Sequence, residues 1–556
     1  MTNPTGLPEH TTDGKARAAA IAALRFDDVT PTAVVEFVSR GRCLLIGDEG
    51  AALAAAGRLP AGLRAAVLVP GDAPPEAATV DGVAVIRGGR PRLQGALGNF
   101  DVQIASAGGE LALSSLLPPG FDKADIVVDL GRPPLARQAM PPLGYYAPQD
   151  ETALEQVLAA LPEMVGEFEK PRFFNYDPEI CAHARNGKHG CTRCIDACPA
   201  EAIVSIGERI EVNPYLCQGG GACATACPTG AITYAYPPAS DLLDVLRTAL
   251  QAYSTAGGTA PVVLFHDPAA EGGLSGPLAS MPERIVPVPV EEVGSVGMDA
   301  WFGAMAYGAV AVVVATSDRT PAQVIEAAQE QLVPARAILA GMGYDEASLQ
   351  LVNVDQAAAA LAALEALPSG RGRPAATFAA PADKRGRLRL ALQHLHAQAP
   401  SPKRSVSLPD GAPFGEVRVD SQACTLCMGC VGACPTHALQ DGRGLPQLNF
   451  REWSCVQCGL CERTCPEQAI TLNPRFLYDI EARERPRLLH EEQPLCCVSC
   501  GKPFATRSML EVLEKKLAGH WMFQTEAQRR RLQMCEDCRV RDMFTEEAQK
   551  SRPRRD

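Results

Sequence analysis

Cysteines in four short repeats are the residues of this sequence best suited to chemistry. The repeats read CPAEAIV, CPTGAIT, CPTHALQ and CPEQAIT, and they begin at Cys198, Cys227, Cys434 and Cys465. Proline fixes the backbone as the chain leaves a ligand, the small alanine allows close approach, and the aliphatic residue can cover an inorganic core. Four copies of one pattern predict repeated metal–thiolate sites.

The downstream pair of repeats completes two iron–sulfur runs of the form C-x2-C-x2-C-x3-C-P, which begin at Cys424 and Cys455. Zinc held by CxxC pairs is the alternative, but zinc would not require the doubled C-x3-C-P. In two-cluster ferredoxins the fourth cysteine of each run ligates the other cluster. That rule assigns one 4Fe–4S cluster to Cys424, Cys427, Cys430 and Cys465, and its partner to Cys455, Cys458, Cys461 and Cys434.

The upstream pair departs from the pattern in its first run. The first ligand, Cys181, lies seven residues upstream of its usual place, and Lys188 occupies that place. The insert ARNGKHG is rich in turn formers and could loop back. The same rule assigns a 4Fe–4S cluster to Cys181, Cys191, Cys194 and Cys227. His183 and His189 are alternative ligands, although a loop histidine is more often solvated.

The second upstream centre has three cysteines, with Gly220 where a fourth thiolate is expected. Three cysteines are what a 3Fe–4S cluster needs, and seven-iron ferredoxins also lack a thiolate at this position of one run. A 4Fe–4S cluster with water or another group on a labile iron is an alternative, and so is a lost cluster. The retained Pro228 and the three remaining ligands favour a retained centre. Those ligands are Cys198, Cys217 and Cys223.

Both cysteine-rich regions resemble bacterial dicluster ferredoxin domains, and the whole chain resembles a polyferredoxin. The likeness covers residues 170–240 and 411–480. It implies modules of two small strands and two short helices, and a function in one-electron transfer, to which thiolate ligands are suited. Large multi-cluster proteins of this composition also resemble components that accompany formate dehydrogenase systems. A molybdenum or tungsten formate dehydrogenase is therefore an expected partner.

Two CxxC pairs near the C-terminus are typical of a closed, tetrahedral structural zinc site. Zinc is favoured over a single iron or another cluster because no C-x3-C-P accompanies the pairs. Cys496 competes with Cys497 for the first position, and His520 is expected at the surface. The RRR and RPRR stretches are expected to be a solvated helix face and a tail. The predicted zinc ligands are Cys497, Cys500, Cys535 and Cys538.

The elements that position these cysteines must belong to several domains, because 556 residues exceed what one hydrophobic core supports. Short buried strands alternate with helical stretches in two blocks, at 42–47, 63–70, 83–88 and 124–131, and at 262–267, 284–290, 309–316 and 348–354. Cys43 in the first block is expected to be a buried structural thiol.

The predicted fold is multidomain α/β plus α+β, with two ferredoxin-like dicluster modules, two α/β modules free of cysteine clusters, and a C-terminal zinc-ribbon or treble-clef-like module. The predicted boundaries are a flexible tail at 1–30, an α/β domain at 31–165, a variant dicluster domain at 170–240, an α/β domain at 245–366, a linker with one helix at 367–410, a dicluster domain at 411–480, and a zinc-binding module with a basic tail at 481–556.

The second α/β block resembles the small delta subunit of methyl-viologen-reducing hydrogenase, through the stretch RIVPVPVEEVGSVGMDAWFGAMAYGAVAVVVATSDR. That family binds a 2Fe–2S cluster through cysteines near such strands, whereas this chain has Thr316 and Ser317 there. The resemblance implies a docking domain without a cluster. The stretch LLIGDEGAALAAAG in the first block lacks G-x-G-x-x-G, so nucleotide binding is not favoured.

A formal net charge of −12 gives no electrostatic basis for binding nucleic acid. The longest apolar run, at 303–315, is too short for a spanning helix, and the first twenty residues do not have the pattern of a secretory signal. We therefore expect a cytoplasmic protein that relays single electrons between redox partners, more a carrier than a catalyst. The alternatives are an iron–sulfur oxidoreductase subunit, with a substrate-binding labile iron or an NAD-linked site, and an assembly factor for a metalloenzyme.

Overall fold

The structure, a computed structural model, describes residues 11–27, 29–30, 32–106, 109–119, 121–276, 280–370 and 372–550. The chain is a mixed α/β multidomain protein. Among the described residues, no helix combines the length and apolar character needed to cross a bilayer. The RPRR stretch lies outside the described residues.

The first α/β unit is built on an eight-stranded mixed sheet. Its elements are α1 (Thr12–Ala23), β1 (Val34–Ser39), β2 (Arg42–Ile46), α2 (Glu49–Ala56), β3 (Arg64–Val69), β4 (Gly71–Val80), β5 (Val83–Gln94), β6 (Asp101–Ser106), β7 (Gly109–Ala112), β8 (Ile126–Asp129), β9 (Tyr145–Tyr146), α3 (Glu151–Ala160) and β10 (Gly166–Pro171). The strand order is β7-β6-β5-β3-β2-β8-β9, with β4 also beside β5, and a separate pair joins β1 and β10.

The centre of this sheet is parallel, as the apolar runs predict, but its margin is not. Strands β5, β3, β2, β8 and β9 are parallel, whereas β4, β6 and β7 pair antiparallel. Most residues of β4 are exposed, so the strand carries no continuous apolar run that the sequence could reveal. Cys43 is fully buried in β2, and burial raises the pKa of its thiol to about 12.

The stretch expected to be a flexible tail instead includes α1. Thr11 caps this helix by accepting a hydrogen bond from the Gly14 amide at 3.1 Å. Ala16 and Ala20 are fully buried, and Asp13 accepts a 2.8 Å hydrogen bond from Tyr253 Oη. Small side chains on one face allow α1 to pack closely against the second α/β unit.

The second α/β unit has a four-stranded parallel sheet made of β17 (Val262–His266), β18 (Ile285–Pro289), β19 (Ala311–Thr316) and β20 (Leu349–Asn353), in the order β18-β17-β19-β20. The sequence predicted all four strands. Almost every residue of β17, β18 and β19 is buried, as expected for a sheet covered on both faces. The other elements are α6 (Ala239–Thr255), α7 (Glu271–Ser275), α8 (Met298–Ala306), α9 (Ala322–Met342) and α10 (Ala357–Glu365).

The interval expected to be a linker contains α11 (Lys384–Ala397). Leu388, Leu392 and Leu395 of this helix are buried in the same apolar core as α8. The helix is therefore packed against the second α/β unit along its length.

The region predicted to be a variant dicluster ferredoxin, residues 170–240, consists of short strands and two short helices and is called the upstream ferredoxin module below. They are β11 (Phe174–Tyr176), β12 (Ala184–Arg185), β13 (Lys188–His189), α4 (Arg193–Asp196), β14 (Ile203–Ile206), β15 (Arg209–Val212), α5 (Ala222–Ala226) and β16 (Ile232–Tyr234). Strand β11 pairs with β16, β12 with β13, and β14 with β15, all antiparallel.

The downstream ferredoxin module is larger, and the C-terminal module follows it. The ferredoxin elements are β21 (Ser405–Ser407), β22 (Gly415–Val419), α12 (Gly429–Ala433), β23 (Leu439–Gly442), β24 (Leu445–Phe450), α13 (Leu460–Thr464), β25 (Ile470–Leu477), α14 (Ile480–Glu484) and β26 (Arg487–Glu491). The C-terminal module contains β27 (Pro494–Cys496), β28 (Pro503–Thr506), α15 (Arg507–Leu517), α16 (Glu526–Arg530) and α17 (Glu536–Lys550).

Candidate iron–sulfur and metal–thiolate sites

The four CPxxA repeats share one backbone turn next to their sulfur atoms. The third residue after each cysteine has a left-handed φ between 49° and 80°; these residues are Glu201, Gly230, His437 and Gln468. In three repeats the next residue, alanine, donates its N–H to the cysteine Sγ, at 3.4 Å for Cys198, 3.2 Å for Cys434 and 3.3 Å for Cys465. Such N–H···S bonds stabilise a thiolate, so this turn explains the alanine spacing seen in the sequence.

The repeat at Cys227 uses a hydroxyl in place of the direct amide bond. Ala231 donates its N–H to Thr229 Oγ1 at 3.1 Å, and this oxygen lies 3.5 Å from Cys227 Sγ. In all four repeats the aliphatic residue after the alanine is buried and begins a strand; these residues are Ile203, Ile232, Leu439 and Ile470. Each sulfur is thereby fixed to the sheet of its module.

A second backbone feature recurs in three of the runs, before the short helix. The residues two and four positions after the first cysteine of each run have left-handed φ; these pairs are Leu426 and Met428, Gln457 and Gly459, and Gly219 and Gly221. Gly220 lies between the last pair, where the complete runs have a cysteine. The variant loop therefore keeps the backbone turns of the complete loops and lacks only the thiol.

Two of the predicted ligand sets line cavities. In the downstream module one cavity is lined by Cys424, Cys427, Cys430 and Cys465. In the upstream module another is lined by Cys181, Cys191, Cys194 and Cys227. Each cavity receives three cysteines from one run and the fourth from the other run of its module, and its remaining wall includes buried isoleucines, Ile470 in the first and Ile210 and Ile232 in the second.

The thiols of the other downstream set lie close enough to influence one another's ionisation. Burial raises the pKa of Cys455 to about 12 and that of Cys458 to about 11, and a nearby Cys434 thiolate adds to both increases. Burial also raises the pKa of Cys461, and Cys455 and Cys458 contribute to that shift. The structure thus brings Cys434 from the first run beside the three cysteines of the second.

The three cysteines of the variant centre are also neighbours. Burial raises the pKa of Cys223 well above its usual value, and the thiolates of Cys198 and Cys217 add to this effect. Burial likewise raises the pKa of Cys217, although the Gly219 amide opposes the increase. The variant centre is therefore a cluster of three mostly buried thiols.

These donor sets fit iron–sulfur clusters. Several thiolates cannot ionise together in an apolar pocket, which is why the pKa values rise; a bound cationic iron core would replace the protons and compensate the charge. The amides directed at sulfur would stabilise the same thiolates. A 4Fe–4S cluster, when bound, would accept and release single electrons at such a site.

The three consecutive glycines of the variant run are each required by a close neighbour. A Cβ on Gly219 would lie 3.0 Å from the Phe173 ring, and a Cβ on Gly221 would lie 2.5 Å from the Ser295 amide nitrogen in the second α/β unit. A Cβ on Gly220 would meet the Pro199 ring at 2.9 Å and Met140 Sδ, from the first α/β unit, at 3.1 Å. The variant centre therefore lies where the two α/β units meet the upstream module.

The insert in the first upstream run forms a β-hairpin made by β12 and β13. Asn186 and Gly187 form its tip with φ of 53° and 70°, the conformation that an Asn-Gly hairpin turn requires. His183 is buried rather than solvated; its Nδ1 lies 3.0 Å from the Cys191 carbonyl oxygen and its Nε2 lies 2.7 Å from Ser205 Oγ. Because both ring nitrogens have hydrogen-bonding partners, His183 supports the hairpin and is not placed as a ligand.

This hairpin also contacts the downstream ferredoxin module. Arg463 on α13 donates hydrogen bonds to the carbonyl oxygens of His189, at 2.5 Å, and Gly190, at 3.1 Å. A Cβ on Gly190 would lie 2.8 Å from Leu460 Cγ, so the packing needs glycine here. Burial raises the pKa of Cys458, and the charge of a Cys191 thiolate in the other module adds to this increase.

Two adjacent cations on α11, Lys384 and Arg385, each bind one of the ferredoxin modules. Sequence reasoning missed them because they lie in a stretch with the composition of a linker. The buried Lys384 ammonium donates to three carbonyl oxygens, those of Ala224 at 3.0 Å, Thr225 at 2.6 Å and Cys227 at 2.9 Å. Arg385 donates to the carbonyl oxygen of Trp453, two residues before Cys455, and its guanidinium lies 4.6 Å from the centre of a Trp453 ring.

The C-terminal site gathers four cysteines whose sulfur atoms all lie within 4.8 Å of one another: Cys497, Cys500, Cys535 and Cys538. The Sγ atoms of Cys500 and Cys535 are 3.7 Å apart, which matches the edge of about 3.8 Å for a tetrahedron with metal–sulfur bonds of about 2.3 Å. Cys496 is exposed and outside this group, and His520 caps a short turn at the surface. Burial opposes ionisation of Cys497, but backbone amides lower its pKa to about 6.

Comparison with known families supports the iron–sulfur interpretation of both modules. Residues 423–470 match the family described as a 4Fe-4S dicluster domain, and residues 210–233 match the 4Fe-4S binding domain. The second match includes the run that contains Gly220. The chain therefore carries ferredoxin-type 4Fe–4S domains.

Two similar proteins are named as a ferredoxin-type protein and a ferredoxin. The ferredoxin-type protein NapF of Escherichia coli (strain K12) is 34% identical over 59 residues, which are 10% of this chain and 36% of NapF. Ferredoxin-1 of Caulobacter vibrioides is 38% identical over 52 residues, which are 9% of this chain and 44% of that ferredoxin. The chain thus spans less than half the length of either relative.

Proposed function

We propose that this protein relays single electrons between two redox partners through four iron–sulfur centres arranged in a line. The observation that carries the proposal is the junction of the two ferredoxin modules, where Arg463, two residues after Cys461, donates hydrogen bonds to the carbonyl oxygens of His189 and Gly190, directly before Cys191. A protein with two independent ferredoxin modules would have no need of this junction.

The proposed ligands follow the crossed rule. The first centre takes Cys181, Cys191, Cys194 and Cys227, and the second takes Cys198, Cys217 and Cys223. The third takes Cys424, Cys427, Cys430 and Cys465, and the fourth takes Cys455, Cys458, Cys461 and Cys434. Cavity linings support the first and third sets, and mutual effects on thiol ionisation support the second and fourth.

The charge effects of thiolates on thiols of other sets support one order of the centres. Cys223 of the second set is influenced by Cys194 of the first, and Cys458 of the fourth by Cys191 of the first. The thiolate of Cys430, in the third set, adds to the raised pKa of Cys461 in the fourth. The order is therefore second, first, fourth, third.

The two ends of this line differ in their access to a partner. Cys427 of the third set is exposed, which suits electron exchange with another protein at that end. The second set is covered by the two α/β units, through Met140 and Ser295. We assign these units to partner docking at the second end, and a formate dehydrogenase partner stays a prediction from the sequence resemblance.

We assign zinc and a structural role to the C-terminal cysteines. Thr506 Oγ1 of this module donates a 3.0 Å hydrogen bond to the Thr425 carbonyl oxygen, beside Cys424. Lys516 of α15 pairs with Glu467 at 2.9 Å. A metal-closed module would thereby support the wall of the third centre.

A matched pair of ligand variants tests the line. Cys181→Ala removes a ligand from the first, internal centre, and Cys427→Ala removes one from the third, terminal centre. With a small reductant delivered to the full-length protein, freeze-quench EPR should show electrons equilibrating between upstream and downstream clusters in the wild type and in Cys427→Ala, and slowed equilibration in Cys181→Ala.

Two results would refute the proposal. Iron and sulfide analysis that finds clusters only in the downstream module would remove the upstream half of the line. Equal equilibration rates in Cys181→Ala and Cys427→Ala, with the expected loss of one centre in each, would show that the first centre is not an internal member of the path.

A further inference from the structure

The group next to the missing thiolate of the second centre is a thioether from another domain. Of the three heavy atoms closest to a Cβ built on Gly220, two belong to the Pro199 ring and the third is Met140 Sδ, at 3.1 Å. Since the variant loop keeps the turns of the complete loops, this Cβ marks the direction in which a cysteine would reach the fourth iron. A sulfur atom therefore stands beside the position that the sequence leaves without one.

Met140 is held at this position by the backbone around it. Its amide donates a 3.0 Å hydrogen bond to the carbonyl oxygen of Pro199, the residue after Cys198. The loop that carries Met140 begins after β8, where buried Asp129 accepts hydrogen bonds from the Leu135 amide at 2.7 Å and from Tyr145 Oη at 2.5 Å. The loop is thus anchored both to its own sheet and to the second centre.

We propose that Met140 Sδ ligates the fourth iron of a 4Fe–4S cluster whose other ligands are Cys198, Cys217 and Cys223. Thioether sulfur is a soft donor of the kind that iron–sulfur clusters accept. A neutral thioether in place of a thiolate makes the centre less negative by one charge, which raises its reduction potential relative to a four-thiolate centre in the same surroundings. The inference rests on the proposed function, because it needs the second centre to be filled.

This ligand gives the first α/β unit a role in the redox path. The fourth iron would be occupied by a group of the chain, so it would not be an open binding position for substrate. The unit would also complete the terminal centre, since Met140 belongs to the loop between β8 and β9.

Met140→Leu is the direct test, because leucine keeps a similar volume and removes the sulfur. Met281→Leu is the matched control, since Met281 is buried in the core of the second α/β unit. Protein prepared without oxygen should show four irons at each of four centres in the wild type and the control. Met140→Leu should lose one iron per chain and gain the EPR signal of a 3Fe–4S cluster in the oxidised state.

The outcomes separate this inference from the relay. Unchanged iron content and EPR in Met140→Leu, or a 3Fe–4S signal already present in anaerobic wild type, would overturn the Met140 assignment and leave the four-centre line standing. If the wild type has no iron at the second centre, both the Met140 assignment and the four-centre line are wrong.

A double variant supplies an independent check. In Met140→Ala combined with Gly220→Cys, the removed side chain frees the space beside the new Cβ, and the new thiol should restore the iron that Met140→Ala alone loses. The Pro199 ring, 2.9 Å from that Cβ, must shift slightly. If the double variant still contains one iron fewer per chain than the wild type, the placement of the fourth iron beside Gly220 is wrong.

Discussion

Replacing Lys384 by methionine should destabilise the upstream ferredoxin module more than the rest of the chain. Lys384 is 6% exposed, and its ammonium satisfies the carbonyl oxygens of Ala224, Thr225 and Cys227. Methionine is of similar length, so the core stays filled, but three buried carbonyl groups lose their donor. These groups lie at the end of α5, the helix that connects Cys223 to Cys227.

The magnitude follows from the number and kind of bonds. A hydrogen bond from a charged group contributes about 1.5–3 kcal/mol, and disruption of a buried charge network costs about 3–5 kcal/mol. Asp299 keeps its partner, because Arg387 Nε donates to it at 2.9 Å. We therefore expect a loss of about 3–5 kcal/mol, which corresponds to a decrease of roughly 12–40 °C in the Tm of a module of about 70 residues.

The assay combines thermal unfolding under nitrogen with iron release to a chelator. Lys384→Met should lower the Tm and release upstream iron faster, while the EPR signals of the downstream clusters decay at the wild-type rate. Lys123→Met is the control, since Lys123 is an exposed lysine of the first α/β unit. If Lys384→Met melts and releases iron as Lys123→Met does, the three hydrogen bonds do not stabilise the module and the reasoning is wrong.

Three further predictions concern other contacts. Arg463→Met should leave iron content unchanged but increase hydrogen exchange of residues 184–190, because it removes the hydrogen bonds to the hairpin; unchanged exchange would contradict the junction. Cys500→Ser should abolish zinc binding, measured by elemental analysis, without loss of iron; iron at this site in the wild type would refute the zinc assignment. Burial, together with Asp267 and Glu291, raises the pKa of Glu292 from 4.5 to about 7. The folded protein then keeps a proton that the unfolded chain has released, so stability falls as pH rises between these values, and Glu292→Gln should make the Tm less dependent on pH over this interval.

The sequence predicted the elements whose residue pattern is local. Apolar runs located all four strands of the second α/β unit, and cysteine spacing located sets of thiols that the fold brings together. Patterns of this kind are set by the strand's own burial or by the turn around one ligand. The Asn186–Gly187 pair was a hairpin signal of the same local kind, and the loop it predicts is present as β12 and β13.

The features that sequence reasoning missed depend on partners far along the chain. Strand β4 is mostly exposed and pairs at a sheet margin, so no apolar run marks it. Lys384 follows a stretch rich in proline and glycine, and its role depends on carbonyl groups more than 150 residues earlier, at Ala224, Thr225 and Cys227. Helix α1 is an alanine-rich segment whose burial depends on α6. A long-range partner leaves no periodic signal in the segment that binds it.

The two departures from the ferredoxin pattern both lie at close contacts, and each includes a contact with a neighbouring domain. The insert before Cys191 forms the hairpin to which Arg463 donates hydrogen bonds, and Gly190 at its end allows Leu460 to pack closely. The glycines at 219–221 leave room for Phe173, for Pro199 and Met140, and for Ser295 respectively. A side chain at any of these positions would separate surfaces that now touch. The packing predicts that Gly220→Cys alone lowers the Tm, and that removal of the Met140 side chain in the same protein restores it. If the departures had no structural role, Gly220→Cys would leave the Tm unchanged even with Met140 present.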